Sequence, residues 1–335
     1  MSVEASTAAV RRGPSAAIGA RRPLAVAAAG LLVILIAIGP ALGLAPYLMS
    51  LATEVMIFAI FAMSLDLLLG YTGLVSLGHA GFFAVGAYAA GLAAKSLTTD
   101  IAATTLIGLA AASILAVAIG WLSIRLSGFY FLMITFAFGQ MIYSVAGRWD
   151  WLTGGSDGLN LPGATLAGAS VLGSPVQIYY AVLAAFVLCF LVMRRIVRSP
   201  FGEVLVGIRE NARRMRAIGY NVRRYKLAIF VIGAFFAAFA GILDAEFNFF
   251  VSPDAANWTA SASVLVMVLV GGAGTLVGPV IGATLVVLLQ NWLSSYTHYW
   301  SLFLGLLFIV LITLAREGIV GLLRRGWRRI GRAGP

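Results

Sequence analysis

The chain alternates between long apolar stretches and short polar ones along most of its length. A helix needs roughly 20 apolar residues to cross the hydrocarbon core of a bilayer, which is about 30 Å thick. The candidate spans are residues 23–44, 48–70, 73–94, 101–123, 128–147, 176–197, 226–250, 259–271, 275–293 and 301–318. The pattern therefore predicts an all-α polytopic membrane protein with about ten transmembrane helices.

Two of these stretches fit the pattern less well than the others. Residues 73–94 are interrupted by glycines, and residues 259–271 are short for a span. Eight spans together with two re-entrant segments would produce the same hydropathy. The sequence leaves both arrangements open.

Composition supports the membrane class and removes several others. The chain of 335 residues is 61% hydrophobic and 10% charged, whereas a soluble domain carries about 25% charged residues. These values exclude a soluble globular protein, a disordered chain and a disulfide-stapled secreted domain, and the single Cys189 has no partner for an internal bridge. A formal net charge of +11 would suit a nucleic-acid binder, but such a protein would not be this apolar.

The basic residues are distributed unevenly between the two sides of the predicted spans. Of the 23 basic residues, 21 lie before the first span, between the fourth and fifth, between the sixth and seventh, or at and after the last. Only Lys95 and Arg148 fall on the other side when ten spans are counted. Because basic loops stay in the cytoplasm, the distribution predicts that both termini are cytoplasmic and argues against nucleic acid as a partner.

Three parts follow from this topology. Residues 1–22 are predicted to form a disordered cytoplasmic tail, residues 23–318 the transmembrane domain, and residues 319–335 a basic cytoplasmic tail. The first apolar run has the full length of a span and no clear cleavage site follows it, so we expect it to be retained as a helix.

Two glycine-rich segments interrupt the apolar pattern, from Gly70 to Gly91 and from Gly271 to Gly282. Glycine allows close helix packing, which is one explanation. The other is that both segments are broken helices lining a translocation pathway, because irregular backbone at membrane depth survives only beside protein or a water-filled cavity. The candidate pathway residues are Gly73, Ser76, Gly78, His79, Gly271, Gly272, Gly274, Thr275 and Pro279. Pro279 favours a break because it lacks a backbone donor.

Acidic residues lie in or near apolar spans at Glu54, Asp66, Asp244 and Glu246. Ionisable groups there are costly and usually face the protein interior. For each of them a boundary or packing role is favoured over a proton relay, and Asp66 is expected near solvent at the inner end of its span. A packed neutral histidine is favoured over a metal ligand at His79, and neither a metal nor a cofactor is predicted.

Residues 194–226 form a basic cytoplasmic loop that is too long for a plain connection. Ser199 and Pro200 are typical of a helix start, residues 203–218 have a helical pattern, and Gly219 is expected to end that helix in a left-handed conformation. Such an element suits a mechanical coupling point. The alternative is an amphipathic helix that lies on anionic membrane lipid.

The longest polar loop on the other face follows Arg148. Its Gly and Asp residues suit tight turns, and Trp149 and Trp151 suit a membrane interface. The functional alternative is a docking surface for an external partner. The residues assigned to that surface are Thr153, Gly154, Gly155, Ser156 and Asp157.

Together these motifs resemble the branched-chain amino acid permeases of ABC transporters, of the LivM type. The resemblance rests on the glycine-rich stretch 70–83, the outer-loop stretch 153–159, the loop stretches 199–202, 208–211 and 217–226, and the glycine-rich stretch 271–283. They occur in the order found in the family and extend over most of the chain.

The resemblance implies a permease subunit of an ATP-driven importer for branched-chain or related hydrophobic amino acids, in the bacterial inner (plasma) membrane. It implies a second homologous permease subunit, two cytoplasmic ATPase subunits and a periplasmic substrate-binding protein as partners. It also implies coupling to the ATPases through Ser199, Pro200, Phe201, Gly202, Arg209, Glu210, Asn211 and Gly219. The family often carries a second acidic residue just after Asn211, where this chain has Ala212, Arg213 and Arg214.

The chain itself is not expected to be an enzyme. Its lysines, Lys95 and Lys226, are not preceded by glycine, so the sequence holds no Walker A phosphate loop. ATP hydrolysis must then come from separate chains.

Two other functions stay open at this stage. One is an ABC permease for amides or urea, since related permeases carry such substrates. The other is an ion-coupled secondary transporter that uses Glu54, Asp66 or Asp244 as a relay. The loop of residues 194–226 favours the ATP-driven importer, because a secondary transporter gives it no role.

Overall fold

The computed structural model describes residues 46–296, apart from 163–164, 167–168 and 171–173, together with residues 302, 305 and 306. The predicted span at 23–44 lies outside the described residues, and so does the span at 301–318 except at those three positions. Both predicted tails also lie outside them. The total number of spans and the side on which the termini lie therefore stay predictions.

Helices dominate the described part of the chain. They are α1 (Pro46–Thr72), α2 (His79–Ser96), α3 (Ile101–Ser123), α4 (Phe129–Arg148), α5 (Asp150–Thr153), α6 (Pro175–Val197), α7 (Pro200–Ala217), α8 (Val222–Asn248), α9 (Trp258–Gly271) and α10 (Val277–Ser294). Short 3-10 helices follow α5 at Gly155–Asp157 and α8 at Pro253–Ala256. Each predicted span within the described residues corresponds to one of these helices.

Six of the described helices are long and apolar enough to cross a membrane, namely α1, α3, α4, α6, α8 and α10. The two uncertain spans are not among them. α2 begins at His79 rather than at residue 73, and α9 has 14 residues. The all-α polytopic class is confirmed. The two stretches that fitted the span pattern least well form α2 and α9, which are not among the helices long and apolar enough to cross a membrane.

The centre of the described helices is formed by α1 and α8. α1 packs against α6, α8 and α10, and α8 packs against α1, α2 and α3. A helix that is apolar on every face is one that its neighbours surround. α1 behaves in this way, since every side chain from Ala59 to Leu68 is buried.

α3 and α4 lie nearer the outside of the bundle and expose large apolar side chains. The exposed side chains include Ile114, Trp121, Phe129, Tyr130 and Met141. An apolar surface of this kind is unfavourable in water and marks contact with a membrane or another protein. It fits helices whose outer faces meet lipid or a neighbouring membrane subunit.

Four strands of two residues each complete the described part: β1 (Leu159–Asn160), β2 (Thr165–Leu166), β3 (Ala169–Ser170) and β4 (Phe250–Val251). β1 pairs antiparallel with β4, and β2 pairs antiparallel with β3. The N–H of Leu161 also donates to the carbonyl of Phe249 at 2.9 Å. The loop that follows α5 is therefore fastened to the end of α8.

Candidate coupling and translocation site

The start of α7 is packed tightly onto its neighbours. Pro200 is the first residue of α7 and Ser199 precedes it, as predicted, although the Ser199 hydroxyl donates back to a carbonyl of α6 at 2.6 Å rather than capping α7. Gly202 lies so close to the last carbonyl of α6 that no side chain fits. The ring of Phe201 stacks on Tyr225 at 5.5 Å. This motif therefore forms a tight corner where α6, α7 and α8 meet.

α7 consists of two halves. The sequence predicts one helix over residues 203–218, but Asn211 has a non-helical φ of −155° and ψ of 93°. Its Oδ1 accepts hydrogen bonds from the N–H groups of Arg213 at 3.1 Å and Arg214 at 2.9 Å, which is how asparagine caps a helix N-terminus. The prediction of an uninterrupted helix is wrong at this residue, because the Asn211 side chain competes with the helical hydrogen bonds.

The end of α7 is formed as the sequence predicts. Gly219 has a φ of 95°, a left-handed conformation that costs glycine no steric strain. The N–H of Gly219 donates to the carbonyl of Arg216, and the N–H of Tyr220 donates to the carbonyl of Met215, both at 3.1 Å. This pair of bonds is a Schellman motif. The predicted role of Gly219 as the helix terminator is confirmed.

A basic cavity of about 800 Å³ lies beside the second half of α7. It is bounded by the α3–α4 connection and by the α7–α8 connection. Five basic side chains and one carboxylate line it, namely Arg125, Arg213, Arg216, Arg223, Lys226 and Glu210. Asn211 and Gly219 line it as well. Arg125 thus reaches the same face as the arginines of residues 194–226, which agrees with the predicted sorting of basic residues to one side.

The first glycine-rich segment interrupts the helices. α1 is followed by the non-helical residues 73–78, and α2 begins at His79. His79 Nε2 lies 2.8 Å from the Oγ of Ser64, so the chain has run back along α1 for about 12 Å at 1.5 Å per helical residue. Gly73, with a φ of 72°, and the buried Ser76 lie in this returning stretch. α2 therefore starts in the interior of the bundle.

Hydroxyl groups from two other helices hold the start of α2. Ser64 of α1 contacts His79, and Ser261 of α9 accepts a hydrogen bond from the N–H of Ala80 at 2.9 Å. Gly78 meets the backbone of α4 so closely that no side chain fits. The fully buried His79 ring also stacks on a phenylalanine of α1, with ring centroids 5.6 Å apart. His79 is a packed histidine, as predicted.

The second glycine-rich segment interrupts the helices by a tight turn. α9 ends at Gly271, and Gly272 and Gly274 follow with φ values of 112° and 81°. The Thr275 hydroxyl donates to the carbonyl of Gly272 at 2.9 Å and accepts from the N–H of Gly278 at 3.2 Å. Both glycine-rich segments therefore break helices. That they line a pathway stays a prediction.

Pro279 does not cause this interruption. It is the third residue of α10, and the N–H groups of a first helical turn have no helical acceptor in any case. The absent N–H therefore removes no helical hydrogen bond, and Pro279 continues α10. The break lies before it, at residues 272–276.

Asp66 connects the end of α1 to the second turn. It is completely buried, so the expectation that solvent surrounds it is wrong. Its Oδ1 accepts a hydrogen bond from the N–H of Gly274 at 2.7 Å. Arg209 of α7 donates to the carbonyl of Gly70, and its positive charge attracts the Asp66 carboxylate. Side chains from α1 and α7 thus meet the backbone between α9 and α10.

The remaining acidic residues stay within helix contacts. Glu54 of α1 accepts a hydrogen bond from Asn291 of α10 at 3.3 Å. Asp244 accepts one from Asn248 at 3.1 Å at the end of α8, and Glu246 is buried nearby in sequence. The packing and boundary roles of these three residues stay predictions.

The outer loop after α4 is ordered. Thr153 is buried, and its hydroxyl lies 2.7 Å and 2.8 Å from two carbonyls at the end of α4 and just after it. Gly154 and Gly155 take φ values of 77° and 60°. Ser156 and Asp157 are exposed. Of the five residues assigned to a docking surface, these last two present exposed side chains.

The sequence did not reveal the residues that hold the interrupted segments in place. Ser64 and Ser261 lie in apolar helices, where a serine commonly bonds its own helix, and Ser64 does also donate to the carbonyl of Phe61 at 2.7 Å. The available signal was a polar residue within an apolar stretch. Such a signal identifies a buried hydroxyl but not its distant partner.

These features together define a class of protein. Helices that can cross a membrane surround two segments of interrupted helix, and interrupted helices at membrane depth are typical of transporters. An amphipathic helix, α7, lies beside both interruptions and borders a basic cavity. The chain is a multi-pass membrane permease.

Residues 47–312 match the protein family described as the permease component of the branched-chain amino acid transport system. The match covers most of the chain and includes every helix described above. The chain belongs to this family, which consists of membrane permease subunits of ABC transporters.

Individual relatives agree with this assignment. The high-affinity branched-chain amino acid transport system permease protein LivM of Salmonella typhimurium strain LT2 is 29% identical over 301 residues, covering 82% of this chain and 70% of that protein. LivM of Escherichia coli strain K12 has the same identity and coverage. The probable LivM of Methanocaldococcus jannaschii is 24% identical over 288 residues, covering 75% of this chain and 83% of that protein. No solved structure matches the chain significantly. The resemblance to LivM-type permeases is confirmed.

Proposed function

We propose that this chain is the membrane-spanning permease subunit of an ATP-driven importer for branched-chain or related hydrophobic amino acids in the bacterial inner (plasma) membrane. The observation that carries the proposal is that a member of this permease family has an amphipathic helix, α7, whose Arg209 bonds to the end of α1 and lies beside both interrupted segments. The substrate class is supported by the LivM relatives, which are permeases of high-affinity branched-chain amino acid transport systems.

The surface formed by α7 and the basic cavity receives the cytoplasmic ATPase subunits. Five cationic side chains against the single carboxylate of Glu210 favour a partner with an acidic surface, since complementary charge selects the partner and speeds association. The tight corner at residues 199–202 gives α7 a fixed base against which a partner can push. ATP hydrolysis takes place in the ATPase chains, and the permease contributes no catalytic residue.

The interrupted segments line the translocation pathway. Backbone that leaves the helix at membrane depth needs protein or a water-filled cavity around it. Residues 73–78 and 272–276 both have such backbone inside the bundle. A rearrangement of either segment would open or close a route between α1, α2, α9 and α10.

The remaining partners fit the other surfaces. A periplasmic binding protein delivers the substrate to the outer loop, where Ser156, Asp157 and the 80% exposed Trp151 are accessible. A second homologous permease subunit and membrane lipid cover the apolar faces of α3 and α4.

The proposal is tested by reconstituting the chain with its second permease subunit and its ATPases in proteoliposomes. Uptake of radiolabelled leucine should require ATP inside and the binding protein outside. Acetamide and urea serve as alternative substrates, and uptake of these in place of leucine would overturn the substrate class. Uptake by the purified chain alone, driven by a proton or sodium gradient without ATP, would overturn the importer itself.

The outer-loop role has a test of its own. Asp157→Lys reverses an exposed charge and should raise the concentration of binding protein needed for half-maximal uptake by about fivefold. The reason is that charges at the rim of an interface mainly change the rate at which the two proteins associate. Maximal uptake at saturating binding protein should stay unchanged. Lys95→Gln, at the exposed end of α2, is the control. An unchanged half-maximal concentration in Asp157→Lys would remove this residue from the docking surface.

A further inference from the structure

The last turn of α1 carries carbonyl groups that its own helix does not satisfy. The final four carbonyls of any helix lack an intrahelical donor, and Gly70 lies in that turn of α1. The Arg209 guanidinium donates to this carbonyl. A cation at a helix C-terminus also interacts favourably with the helix dipole. Arg209 is thus bonded to the end of α1 although it belongs to α7.

The same guanidinium lies against the turn between α9 and α10. A side-chain carbon on Gly274 would lie 3.1 Å from Arg209 Nη1 and 3.1 Å from the Gly70 carbonyl oxygen. Asp66 accepts the N–H of Gly274 at 2.7 Å, and the space beside Gly70 is filled by Asp66 and the Gly274 backbone. Four residues therefore lie together in one cluster, which we name the Arg209 junction: Asp66, Gly70, Arg209 and Gly274.

The first interrupted segment also begins at the Arg209 junction. Gly73 is the first non-helical residue after α1, and a side-chain carbon on it would lie 3.5 Å from Arg209 Cγ. The aliphatic part of Arg209 thus lies beside the first segment, and its guanidinium lies beside the second. A displacement of this one side chain acts on both.

Arg209 is placed where movement of α7 would reach it. The first half of α7 is held in the bundle by the buried Leu205 and Ile208. The helix breaks at Asn211, two residues after Arg209, and the second half lines the basic cavity. Residues 209–211 thus join the half of α7 that packs in the bundle to the half that lies beside the cavity.

We propose that Arg209 is a positioning residue that transmits movement of α7 to both interrupted segments, by holding Gly70 and Gly274 against Asp66. The inference rests on the proposed function and names the part of the permease through which the ATPases act on the pathway. It assigns no contact with substrate to Arg209.

The test measures leucine uptake and ATP hydrolysis in the same reconstituted complex. Arg209→Gln should lower the number of leucine molecules imported per ATP by about tenfold, within the range typical of coupling between distant sites. ATP hydrolysis itself should stay within about twofold, since the ATPase active sites lie in other chains. Lys95→Gln removes a positive charge at the exposed end of α2 and should leave the ratio unchanged.

Two further variants separate charge from geometry. Arg209→Lys keeps the charge but lacks the planar fork of the guanidinium, so it should restore only part of the ratio. Asp66→Asn keeps an oxygen that can accept the Gly274 N–H and removes the charge that attracts Arg209. It should lie between Arg209→Gln and the unchanged protein. These variants also decide the matter if Arg209→Gln fails to assemble.

A conformational readout distinguishes transmission from simple support of the fold. Ala273→Cys places a thiol in the second turn, in a chain whose buried Cys189 is replaced by alanine. Maleimide labelling of this thiol should differ between the nucleotide-free and ATP-trapped complex, and Arg209→Gln should abolish the difference. A residue that only stabilises the fold would change thermal stability and leave the difference in place.

The outcomes are distinguishable from those of the proposed function. A complex without ATP-dependent leucine uptake before any substitution contradicts the proposed function. A working complex in which Arg209→Gln keeps both the uptake ratio and the labelling difference overturns the role of Arg209 alone.

Discussion

The two glycine-rich segments have similar composition and different structures. In the first, six non-helical residues, 73–78, run back along α1, and hydroxyl groups of Ser64 and Ser261 hold the point where α2 begins. In the second, a short turn at residues 272–276 is held by the Asp66 carboxylate beside Arg209. The first interruption is fixed deep in the bundle by neutral groups. The second is fixed by a hydrogen bond to the side chain of Asp66, next to the helix that borders the basic cavity.

This difference indicates a division of roles. Neutral hydroxyl contacts hold a fixed arrangement at depth, whereas a contact that includes an arginine from α7 can change when α7 moves. We therefore expect the second turn to respond to the ATPases most directly. The experiments below compare the two segments on that basis.

The largest effect is expected at the second turn. Gly271 packs on the Gly278 backbone with no room for a side-chain carbon, so Gly271→Ala must separate α9 from α10. Leucine uptake should fall by at least about tenfold, because a displacement of α9 from α10 at the functional site slows every transport cycle. Gly147→Ala is the matched control, since its nearest neighbour would be 4.0 Å away. Normal uptake by Gly271→Ala would show that the turn is not part of the pathway.

An intermediate effect is expected at the end of α7. Gly219→Val forces a β-branched residue into a left-handed conformation, at a cost of roughly 1–2 kcal/mol. The Schellman motif should loosen, and leucine imported per ATP should fall by about fivefold. Gly219→Asn is the control, because asparagine tolerates this conformation and should keep most of the ratio. Equal ratios in the two variants would argue that the conformation of Gly219 has no part in coupling.

The smallest effect on transport is expected at the first segment. Ser64→Ala leaves the buried His79 Nε2 without its partner on α1, which should lower stability by about 1–3 kcal/mol. Thermal unfolding of the complex measures this loss. Ser50→Ala is the control on the same helix, since its hydroxyl is exposed and bonds only its own helix. The labelling of Ala273→Cys should keep its nucleotide dependence in Ser64→Ala. Loss of that dependence would show that the two segments are not separable.

Much of the fold was predictable, because it depends on local chemistry. Apolar stretches of span length predicted the long helices, and Ser199, Pro200 and Gly219 predicted the ends of α7. The failures have a common cause. Asp66 was expected near solvent because the sequence shows its place along α1 but not the helices packed around it. Pro279 was expected to break a helix because the sequence does not show that it lies in the first turn of α10.

The candidate site was predictable in its parts but not in its connections. Arg209 was assigned to the coupling surface and Gly274 to the pathway, each from its own motif. Nothing in the sequence links residue 209 with residue 274, or either of them with Asp66. Hydrogen bonds between such distant positions depend on how three helices pack, and one sequence carries no record of that packing.

The sequence by itself determined that this protein is a polytopic membrane protein with a basic loop and two glycine-rich segments. Those properties follow from hydropathy, charge and glycine content, which act locally and can be read along the chain. Only the tertiary structure decided that α2 begins inside the bundle and that one arginine of α7 lies beside both interruptions. The physical reason is that a buried carboxylate, a free carbonyl at a helix end and a turn N–H must find partners, and those partners come from wherever the packed helices place them.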